Sequence, residues 1–479
     1  MFDECSEAFV KWFTAQPGAK FHPDLALVDL RERNAGRGII ATRSIPAETE
    51  LFTLGRSSVI SVANSTLSTI LPQLFTAATG SKHDDDDDAM EDDNEEITLP
   101  DPSSPWVDLI LVLIYEYLQG PASVWKAYLD VLPTEFDTMM FWTPKEVSEL
   151  QASAVKDKIG KESADEMIFT KVIPVINANI SFFYPAGSSP LSDADLTNLA
   201  HRMGSLVMAY AFDLQSDDAD ESGDQEDGWE EDHDGPVMMG MVPMADMLNA
   251  DAEFNAHLNH GETQLTMVSL RTIAAGEEIL NYYGALPQSD LARRYGYVSQ
   301  KHSRYDVDEI PWTLVQKVIQ EQYPGKSIDS SKQEDLMEES FVLERESGEP
   351  SDEGLQTSPA TFKGFPEDLQ TTILETLETL HPGQTKKQYE AEFYNIMITV
   401  LNLRLSAYTS NLQQDEELLK SPEVRGRLRM AIEIRRGEKQ LLDECIAFAS
   451  YKKKTLEAIS AVKATSKETA ERPSKRQKR

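Results

Sequence analysis

The chain has 479 residues and a formal net charge of −37 at pH 7, and 40% of its residues are hydrophobic. This length suits about two to four domains with substantial buried cores. The two cysteines, Cys5 and Cys445, exclude a disulfide framework and a cysteine-based zinc site, and we expect no metal site. No signal peptide and no apolar run of about 18 residues is visible, so we expect a soluble intracellular protein without a membrane partner.

The negative charge is concentrated in three segments. Residues 81–96 hold ten acidic side chains, residues 216–235 hold eleven, and residues 327–354 hold ten. Blocks of like charge repel one another and seldom fold. We therefore expect acidic, solvated loops at the positions 81–103, 215–236 and about 327–360. A weak attraction for basic partners is the functional alternative for these segments.

The beginning of the chain combines a helical pattern with a strand pattern. We expect residues 1–24 to form a helical segment, because Phe9, Trp12 and Phe13 fall on one side of a helix. The first strand pair is predicted over residues 36–54, with a Pro-Ala-Glu-Thr turn. The Gly-Arg-Gly sequence at its start fits either a tight turn or a loop that lets a ligand approach the backbone.

One sequence pattern occurs twice. Residues 41–52 (ATRSIPAETELF) align with residues 269–280 (SLRTIAAGEEIL), so that Ile45 corresponds to Ile273. Two similar hairpins this far apart indicate one β-rich domain whose halves are separated by an insertion.

The insertion, about residues 104–214, has helical patterns. Ser104 is a candidate N-cap, and Pro105 suits the first helical turn. Apolar residues then repeat at helical spacing as far as Tyr117, where a Gly-Pro pair follows. Residues 196–214 are apolar nearly all round, which predicts a buried helix.

Helical patterns dominate beyond residue 299. We expect a helical C-terminal domain over residues 305–463, in which RRGEKQLL, residues 435–442, is the most distinctive stretch. Residues 464–479 are basic and polar and are expected to be disordered. Their final basic cluster fits either a nuclear-import signal or a solvated tail.

The most informative stretch is MVPMADMLNADAEFNAHL, residues 241–258. Asn and Asp side chains bond their own backbone, which predicts an ordered loop. EEILNYYGALPQSDLARRYGYV, residues 277–298, continues as an apolar strand, a Tyr-Tyr-Gly turn and a helix ending in Arg-Tyr-Gly-Tyr. In this order, the pieces resemble the cofactor half of SET-domain lysine methyltransferases of the Rubisco methyltransferase-like group, and within it the ribosomal lysine methyltransferases.

The resemblance implies an α+β fold. A β-rich SET domain would cover residues 25–300, interrupted by the helical insertion and followed by an all-α domain of the substrate-binding kind. The resemblance also implies S-adenosyl-L-methionine as the cofactor and lysine N-methylation as the activity. The expected substrate is a ribosomal protein, in particular one of the large subunit.

Matching the family's motifs residue by residue gives three groups of candidate site residues. The catalytic candidates are Tyr295 and Tyr283. The cofactor-binding candidates are Arg37, Gly38, Ile39, Asn249, Ala250 and Tyr295. The substrate-binding candidates are Trp106 and Tyr210.

One position departs from the usual family pattern. Most SET enzymes have His after the motif's Asn, whereas this chain has Ala250. The ribosomal enzymes tolerate Asn-Ala-Asp, so the resemblance implies a mark of that subtype and the loss of one cofactor contact. A non-catalytic acidic binding module, or a chaperone for basic proteins, is the alternative function.

The remaining expectations concern partners and location. We expect a monomer that binds a basic protein and makes no direct contact with nucleic acid. The expected compartment is the nucleus, with the cytoplasm as a second location.

Overall fold

The computed structural model describes residues 2–33, 35–75, 104–214, 238–326 and 339–470, without the side chains of 460–470. The strands are β1 Lys20–Phe21, β2 Leu25–Asp29, β3 Arg37–Ala41, β4 Glu50–Gly55, β5 Ile60–Ser61, β6 Ala211–Asp213, β7 Met239–Met241, β8 Asn249–Ala250, β9 Ala256–His260, β10 Gln264–Ser269, β11 Leu280–Asn281, β12 Asp308–Pro311 and β13 Ser340–Leu343. The α-helices are α1 Phe2–Thr14, α2 Thr66–Ile70, α3 Pro105–Leu118, α4 Lys126–Leu129, α5 Pro144–Ser148, α6 Lys161–Met167, α7 Ile173–Ala178, α8 Ile180–Phe183, α9 Asp193–Tyr210, α10 Gln288–Asp290, α11 Trp312–Gln322, α12 Glu367–Leu380, α13 Lys386–Ser406, α14 Leu412–Leu419 and α15 Gly426–Ala470. The acidic loops expected at 81–103 and 215–236 lie outside the described residues.

Small sheets form the β-structure on either side of the helical insertion. An antiparallel sheet has the strand order β1-β4-β10-β9, and a second has the order β5-β7-β6. β2 pairs with β3, and β8 pairs in parallel with β11. Strands from before and after the insertion therefore share sheets.

The two segments predicted to be similar hairpins do not form hairpins. Within residues 36–54, β3 pairs with β2, whereas β4 pairs with β1 and β10. Four consecutive residues of β4 are buried. β4 has a strand partner on each edge, β1 and β10, which a single hairpin does not provide. Long-range pairing therefore replaces the predicted local turn.

The repeated pattern instead marks a local two-fold relation. Ile45 and Ile273, which correspond in the alignment, exchange two backbone hydrogen bonds of 2.9 and 2.8 Å. Glu48 and Gly276 also correspond, and each donates a 2.7 Å backbone hydrogen bond across the same contact. Both have a positive φ, 57° and 82° respectively. The two segments thus lie antiparallel and close the β-domain.

The N-terminal segment, residues 1–24, is helical only in its first part. The rings of Phe9 and Phe13 are buried in the core. α1 ends at Thr14, and a Pro-Gly pair follows in which Gly18 has a φ of 73°. Such a pair interrupts a helix. The chain then enters β1, which extends the sheet of β4.

The insertion consists of helices that pack on the sheets. α3 begins at Pro105, with Ser104 in the N-cap position but without a side-chain capping bond, and it ends before the Gly-Pro pair. α9 packs against α3 and ends at Tyr210. The predicted buried helix over 196–214 is therefore shorter than expected, since residues 211–213 form β6.

The N-terminal and C-terminal parts of the chain have separate apolar cores. The first combines the sheets with the insertion and includes Leu54, Leu113 and Met203. The second lies among β12, β13 and the C-terminal helices. A small cluster that includes Trp142 and Ile434 joins the insertion to α15.

The acidic segment predicted as a loop over 327–360 is partly a strand. Residues 327–338 lie outside the described part of the chain, but β13 pairs with β12 in an antiparallel ribbon. Phe341 and Leu343 are buried on one face of this strand. A strand forms despite the surrounding acidic residues, because successive side chains point to opposite faces. Alternate apolar side chains can therefore enter the core while the acidic neighbours stay at the surface.

Buried charges attach α15 to the rest of the protein. Arg435 and Lys439 both form ion pairs with the buried carboxylate of Asp415, at 2.8 Å in the case of Arg435. Glu438 accepts a 2.5 Å hydrogen bond from Ser153 in the insertion. Breaking such pairs leaves an uncompensated buried charge, which is strongly destabilising. These contacts account for the distinctive residues of the RRGEKQLL stretch.

The last helix extends further than the sequence indicates. α15 continues to Ala470, so residues 464–470 are helical rather than part of the expected disordered tail. Residues 471–479 lie outside the described residues. No helix in the described ranges has the length and apolar character needed to cross a membrane.

Gly437 provides a test of the α15 contact. An added Cβ would lie 1.8 Å from Oδ2 of Asp306, a buried carboxyl group that accepts 3.0 and 2.9 Å hydrogen bonds from Gln288. Ala is preferred to Gly in helices by about 1 kcal/mol. We nevertheless expect Gly437→Ala to lower the free energy of unfolding by about 1–3 kcal/mol through overpacking. Thermal denaturation measures this change.

Gly204→Ala is the matched control. Gly204 lies inside α9, where an added Cβ would meet Ile110 at an ordinary 3.5 Å. This variant should be as stable as the wild type or more stable. Equal behaviour of the two variants would contradict the proposed tight contact at Gly437.

Candidate active site

Two short parallel strands hold the two motif regions side by side. β8 pairs with β11 in the register Asn249 to Leu280. The Asn255 side chain fixes this arrangement, since it donates to the Glu278 carbonyl at 2.8 Å and accepts from the Leu280 N–H at 2.9 Å. The Asn- and Asp-rich stretch is an ordered segment because its side chains satisfy backbone groups.

The predicted cofactor residues converge at one end of this pair. Asn249 Nδ2 donates to the Arg37 carbonyl at 3.2 Å and to the Glu278 carboxylate at 2.7 Å. A Cβ on Gly38 would lie 3.0 Å from Asn249 Nδ2 and 2.4 Å from Leu30 Cδ1. Close packing therefore requires glycine at position 38.

The side chains of Arg37 and Ile39 are used for internal contacts. The Arg37 guanidinium donates to the Val131 carbonyl at 2.6 Å and lies 3.9 Å from the ring centroid of Phe2. Burial lowers the pKa of Arg37. Ile39 is fully buried in the first core. A ligand at this position would meet the backbone of these residues.

A cavity of about 180 Å³ lies beside β11. Its lining consists of Ala209, Tyr210, Ala211, Phe212, Asp246, His257, Leu258, His260, Asn281, Tyr282, Tyr283 and Tyr295. The rings of Tyr283 and Tyr295 are stacked, with centroids 4.5 Å apart and planes 15° from parallel. The structure thus brings both catalytic candidates together with Tyr210.

Hydrogen bonds connect this cavity to the cofactor residues. The Tyr283 hydroxyl donates to the Leu248 carbonyl, and the Tyr297 hydroxyl donates to the Ala250 carbonyl, both at 3.2 Å. Tyr297 also packs edge-on against Tyr295, with centroids 6.4 Å apart. Ala250 therefore contributes its backbone carbonyl to the site, and any residue at position 250 could supply that group.

The Arg-Tyr-Gly-Tyr sequence needs its glycine. Leu291–Tyr295 forms a π-helical turn that ends at Gly296 in the left-handed conformation, with a φ of 75°. A Cβ there would lie 2.8 Å from the backbone nitrogen of Thr138. Gly296 thus ends the turn, so that the rings of Tyr295 and Tyr297 on either side of it pack against each other next to the cavity.

Burial keeps the phenol groups protonated. It raises the pKa of Tyr295 to about 12, and burial together with the charge of Asp246 raises that of Tyr210 to about 12. Burial also raises the pKa of Tyr283 and of Tyr297. At physiological pH these hydroxyl groups are hydrogen-bond donors, while the ring faces exclude water.

One carboxyl group shares the cavity with the tyrosines. Asp246 is 7% exposed, and burial raises its pKa to about 7 although a hydrogen bond from the Tyr128 hydroxyl acts in the opposite direction. Its Oδ1 accepts no well-formed hydrogen bond from the described residues. Neither Asp246 nor Tyr128 was among the predicted site residues. An acidic residue inside the apolar run VPMADML is the sequence signal for such a buried carboxyl group.

Trp106 is not among the residues that line the cavity. It is 36% exposed in the first turn of α3. Tyr210, the other predicted substrate-binding residue, does line the cavity. Both residues were chosen by their match to family positions, and such a match does not specify which side chains line the cavity.

The residues present are suited to S-adenosylmethionine. Both hydrogen bonds found for the Asn249 side chain within the described chain use Nδ2, so its Oδ1 can accept from a ligand amine. Tyrosine faces attract cations such as a sulfonium group. When bound, this cofactor supplies an activated methyl group.

Comparisons with known proteins identify the family of the chain. The SET domain family matches residues 36–284, and the Rubisco LSMT substrate-binding family matches residues 356–442. Ribosomal lysine N-methyltransferase 4 of Saccharomyces cerevisiae is 31% identical over 328 residues, which cover 67% of this chain and 60% of that protein. N-lysine methyltransferase SETD6 of Rattus norvegicus is 26% identical over 471 residues, covering 92% of this chain and 90% of that protein.

Solved structures show the same fold. The crystal structure of the SET domain of LSMT bound to lysine and AdoHcy aligns with a TM-score of 0.61 at 17% identity. The alignment covers 95% of this chain and 93% of that one. The predicted resemblance is thus confirmed: the chain belongs to the SET-domain protein-lysine methyltransferases of the Rubisco methyltransferase-like group, whose cofactor is S-adenosylmethionine.

Proposed function

We propose that this chain transfers a methyl group from S-adenosylmethionine to lysine side chains of a ribosomal protein, in particular one of the large subunit. The observation that carries the proposal is the cavity in which Tyr210, Tyr283 and Tyr295 surround a buried carboxyl group. It is connected through Ala250 to the Asn249 contacts, which suit the cofactor.

The cavity meets the main requirement of the reaction, a neutral amine. A free lysine has a pKa of about 10.4, so fewer than about one in a thousand is neutral at pH 7. Removal from water disfavours the ammonium form. Stacked tyrosine rings provide such an environment. The hydroxyl oxygen of Tyr295 can accept an N–H of the amine, which orients the nitrogen and leaves its lone pair free to attack the methyl group. Positioning of the amine contributes further.

The substrate class is supported by two observations. The yeast relative is named a ribosomal lysine N-methyltransferase. The net charge of −37 favours association with a basic protein.

A labelling experiment tests the proposal directly. The purified chain is incubated with radiolabelled S-adenosylmethionine and the total protein of isolated large ribosomal subunits. We expect label in a small number of protein bands and, by mass spectrometry, methylated lysine in each. Heat-denatured enzyme is the control. Calorimetric binding of the cofactor without transfer to any protein would instead favour the acidic binding module.

Tyr295→Phe tests the orienting hydroxyl. The substitution keeps the ring stacked on Tyr283 and removes one oxygen atom. We expect kcat to fall about 100- to 1,000-fold, which corresponds to about 2.7–4 kcal/mol of lost transition-state stabilisation. The melting temperature and the cofactor affinity should stay close to the wild-type values, since neither depends on this oxygen.

Tyr117→Phe is the control for this variant. Tyr117 is 40% exposed on α3 and is not part of the cavity lining. Its rate should stay within about twofold of the wild type. A near-normal rate for Tyr295→Phe would contradict its catalytic role and transfer that role to Tyr283.

We further propose that the basic tail directs the chain to the nucleus. Lys475, Arg476, Lys478 and Arg479 form a cluster typical of nuclear-import signals. Removing residues 473–479 should reduce nuclear accumulation of a fluorescent fusion while methyl transfer in vitro stays the same. An unchanged distribution would contradict this assignment.

A further inference from the structure

We propose that Asp246 is a further catalytic residue, whose carboxylate receives the substrate ammonium group and accepts a proton from its nitrogen before methyl transfer. The inference rests on the proposed function, because it assigns a step within that site.

The backbone holds Asp246 in a defined position at the cavity. Met244 precedes it with a φ of 82°, a conformation that non-glycine residues seldom adopt, and Ala245–Met247 forms a 3₁₀ turn. Tyr128, which donates to Asp246 Oδ2, is fully buried and packs on Phe9 with ring centroids 5.9 Å apart. A rigid donor therefore fixes one carboxylate oxygen.

The other carboxylate oxygen is available to a ligand. Oδ1 is buried and accepts no well-formed hydrogen bond within the described chain, although the nearby backbone N–H groups of Asp246 and Met244 lower the pKa of this carboxyl group. Buried oxygen atoms without a well-formed hydrogen bond are uncommon in folded proteins. No other carboxyl group, and no Lys or Arg, is among the residues that line the cavity. An ammonium group entering it would find in Asp246 the counter-charge and the hydrogen-bond acceptor that it requires.

The proposed step is balanced in atoms and charge. An N–H bond of the ammonium group breaks and an O–H bond forms on Oδ1, which gives a neutral amine beside a neutral carboxylic acid. The freed lone pair of the nitrogen forms the new N–C bond as the C–S bond breaks, and the electron pair of that bond goes to sulfur. The proton on Oδ1 then returns to solvent through the open side of the cavity, where His257 is exposed.

The surroundings of Asp246 suit proton exchange near neutral pH. Burial raises its pKa to about 7, so both protonation states are populated. The titratable groups that share its surroundings are Tyr128 on α4, Tyr210 on α9, Tyr282 and Tyr283 after β11, Tyr295 before Gly296, and His257 and His260 on β9. Histidine ordinarily titrates in the same range as this carboxyl group, so a histidine control is needed.

A purely structural role for Asp246 predicts a different result. If the carboxylate only accepted the Tyr128 hydrogen bond, an amide oxygen would serve equally well. Asp246→Asn keeps the shape and the acceptor but cannot take a proton. The pH dependence of this variant separates the two roles.

The test measures relative kcat/KM between pH 6 and 9.5, with the total protein of large ribosomal subunits as the probe at subsaturating concentration. For the wild type, kcat/KM should fall below about pH 7 and stay level above it. For Asp246→Asn, we expect a loss of about 100-fold at pH 7. Its rate should then rise about tenfold per pH unit with the fraction of free amine, and approach the wild type near pH 9.

Two further variants identify the group that titrates. Tyr128→Phe removes the strongest of the hydrogen bonds that lower the pKa of Asp246, so the fall in kcat/KM should move to higher pH. His260→Gln should leave that midpoint where it is. A midpoint that moves in His260→Gln, or that persists in Asp246→Asn, would overturn the proposal.

The remaining outcomes are equally decisive. A loss in Asp246→Asn by the same factor at every pH, with an unchanged melting temperature, would show a structural role and overturn the inference alone. A wild-type protein that methylates no ribosomal protein would overturn the proposed function and this inference together.

Discussion

The backbone contact between Ile45 and Ile273 is the constraint on which the rest of the site depends. Its hydrogen bonds join two segments that are separated in sequence by the whole insertion. This contact places β3 beside Asn249 and Glu278, so that the residues suited to the cofactor meet. The insertion then returns through α9 and brings Tyr210 to the cavity. Closure of the β-domain and the arrangement of the site therefore depend on the same backbone contact.

Removal from water is the common physical cause of the site's acid–base properties. It raises the pKa of the tyrosines, which keeps them protonated donors, and it raises that of Asp246 into the neutral range. The same environment disfavours the ammonium form of a lysine substrate. Desolvation thus favours proton transfer from an ammonium group to a carboxylate, because both charged partners are replaced by neutral ones.

The C-terminal helices are attached by a different interaction. Arg435 pairs with Asp415 on the neighbouring helix α14, and its guanidinium also lies 3.2 Å from the Glu149 carboxylate of the insertion. Glu438 reaches Ser153 in the same part of the insertion. Apolar packing alone tolerates many relative positions of two domains, whereas buried charges must meet their partners. The orientation of α15 against the insertion is consequently well defined, which suits a unit that presents a protein substrate to a fixed cavity.

Local chemistry in the sequence determined the features that depend on a few neighbouring residues. The Gly-Pro pair after α3 and the order of the motifs follow from such signals. The resemblance carried by those motifs identified the family and, with it, Tyr283, Tyr295 and Asn249. The tertiary structure decided which strands pair, that Phe341 is buried within an acidic segment, and that Trp106 lies outside the cavity. It also decided the state of Asp246, whose pKa depends on burial and on Tyr128. These properties come from partners that are distant in sequence, and no local pattern specifies such partners.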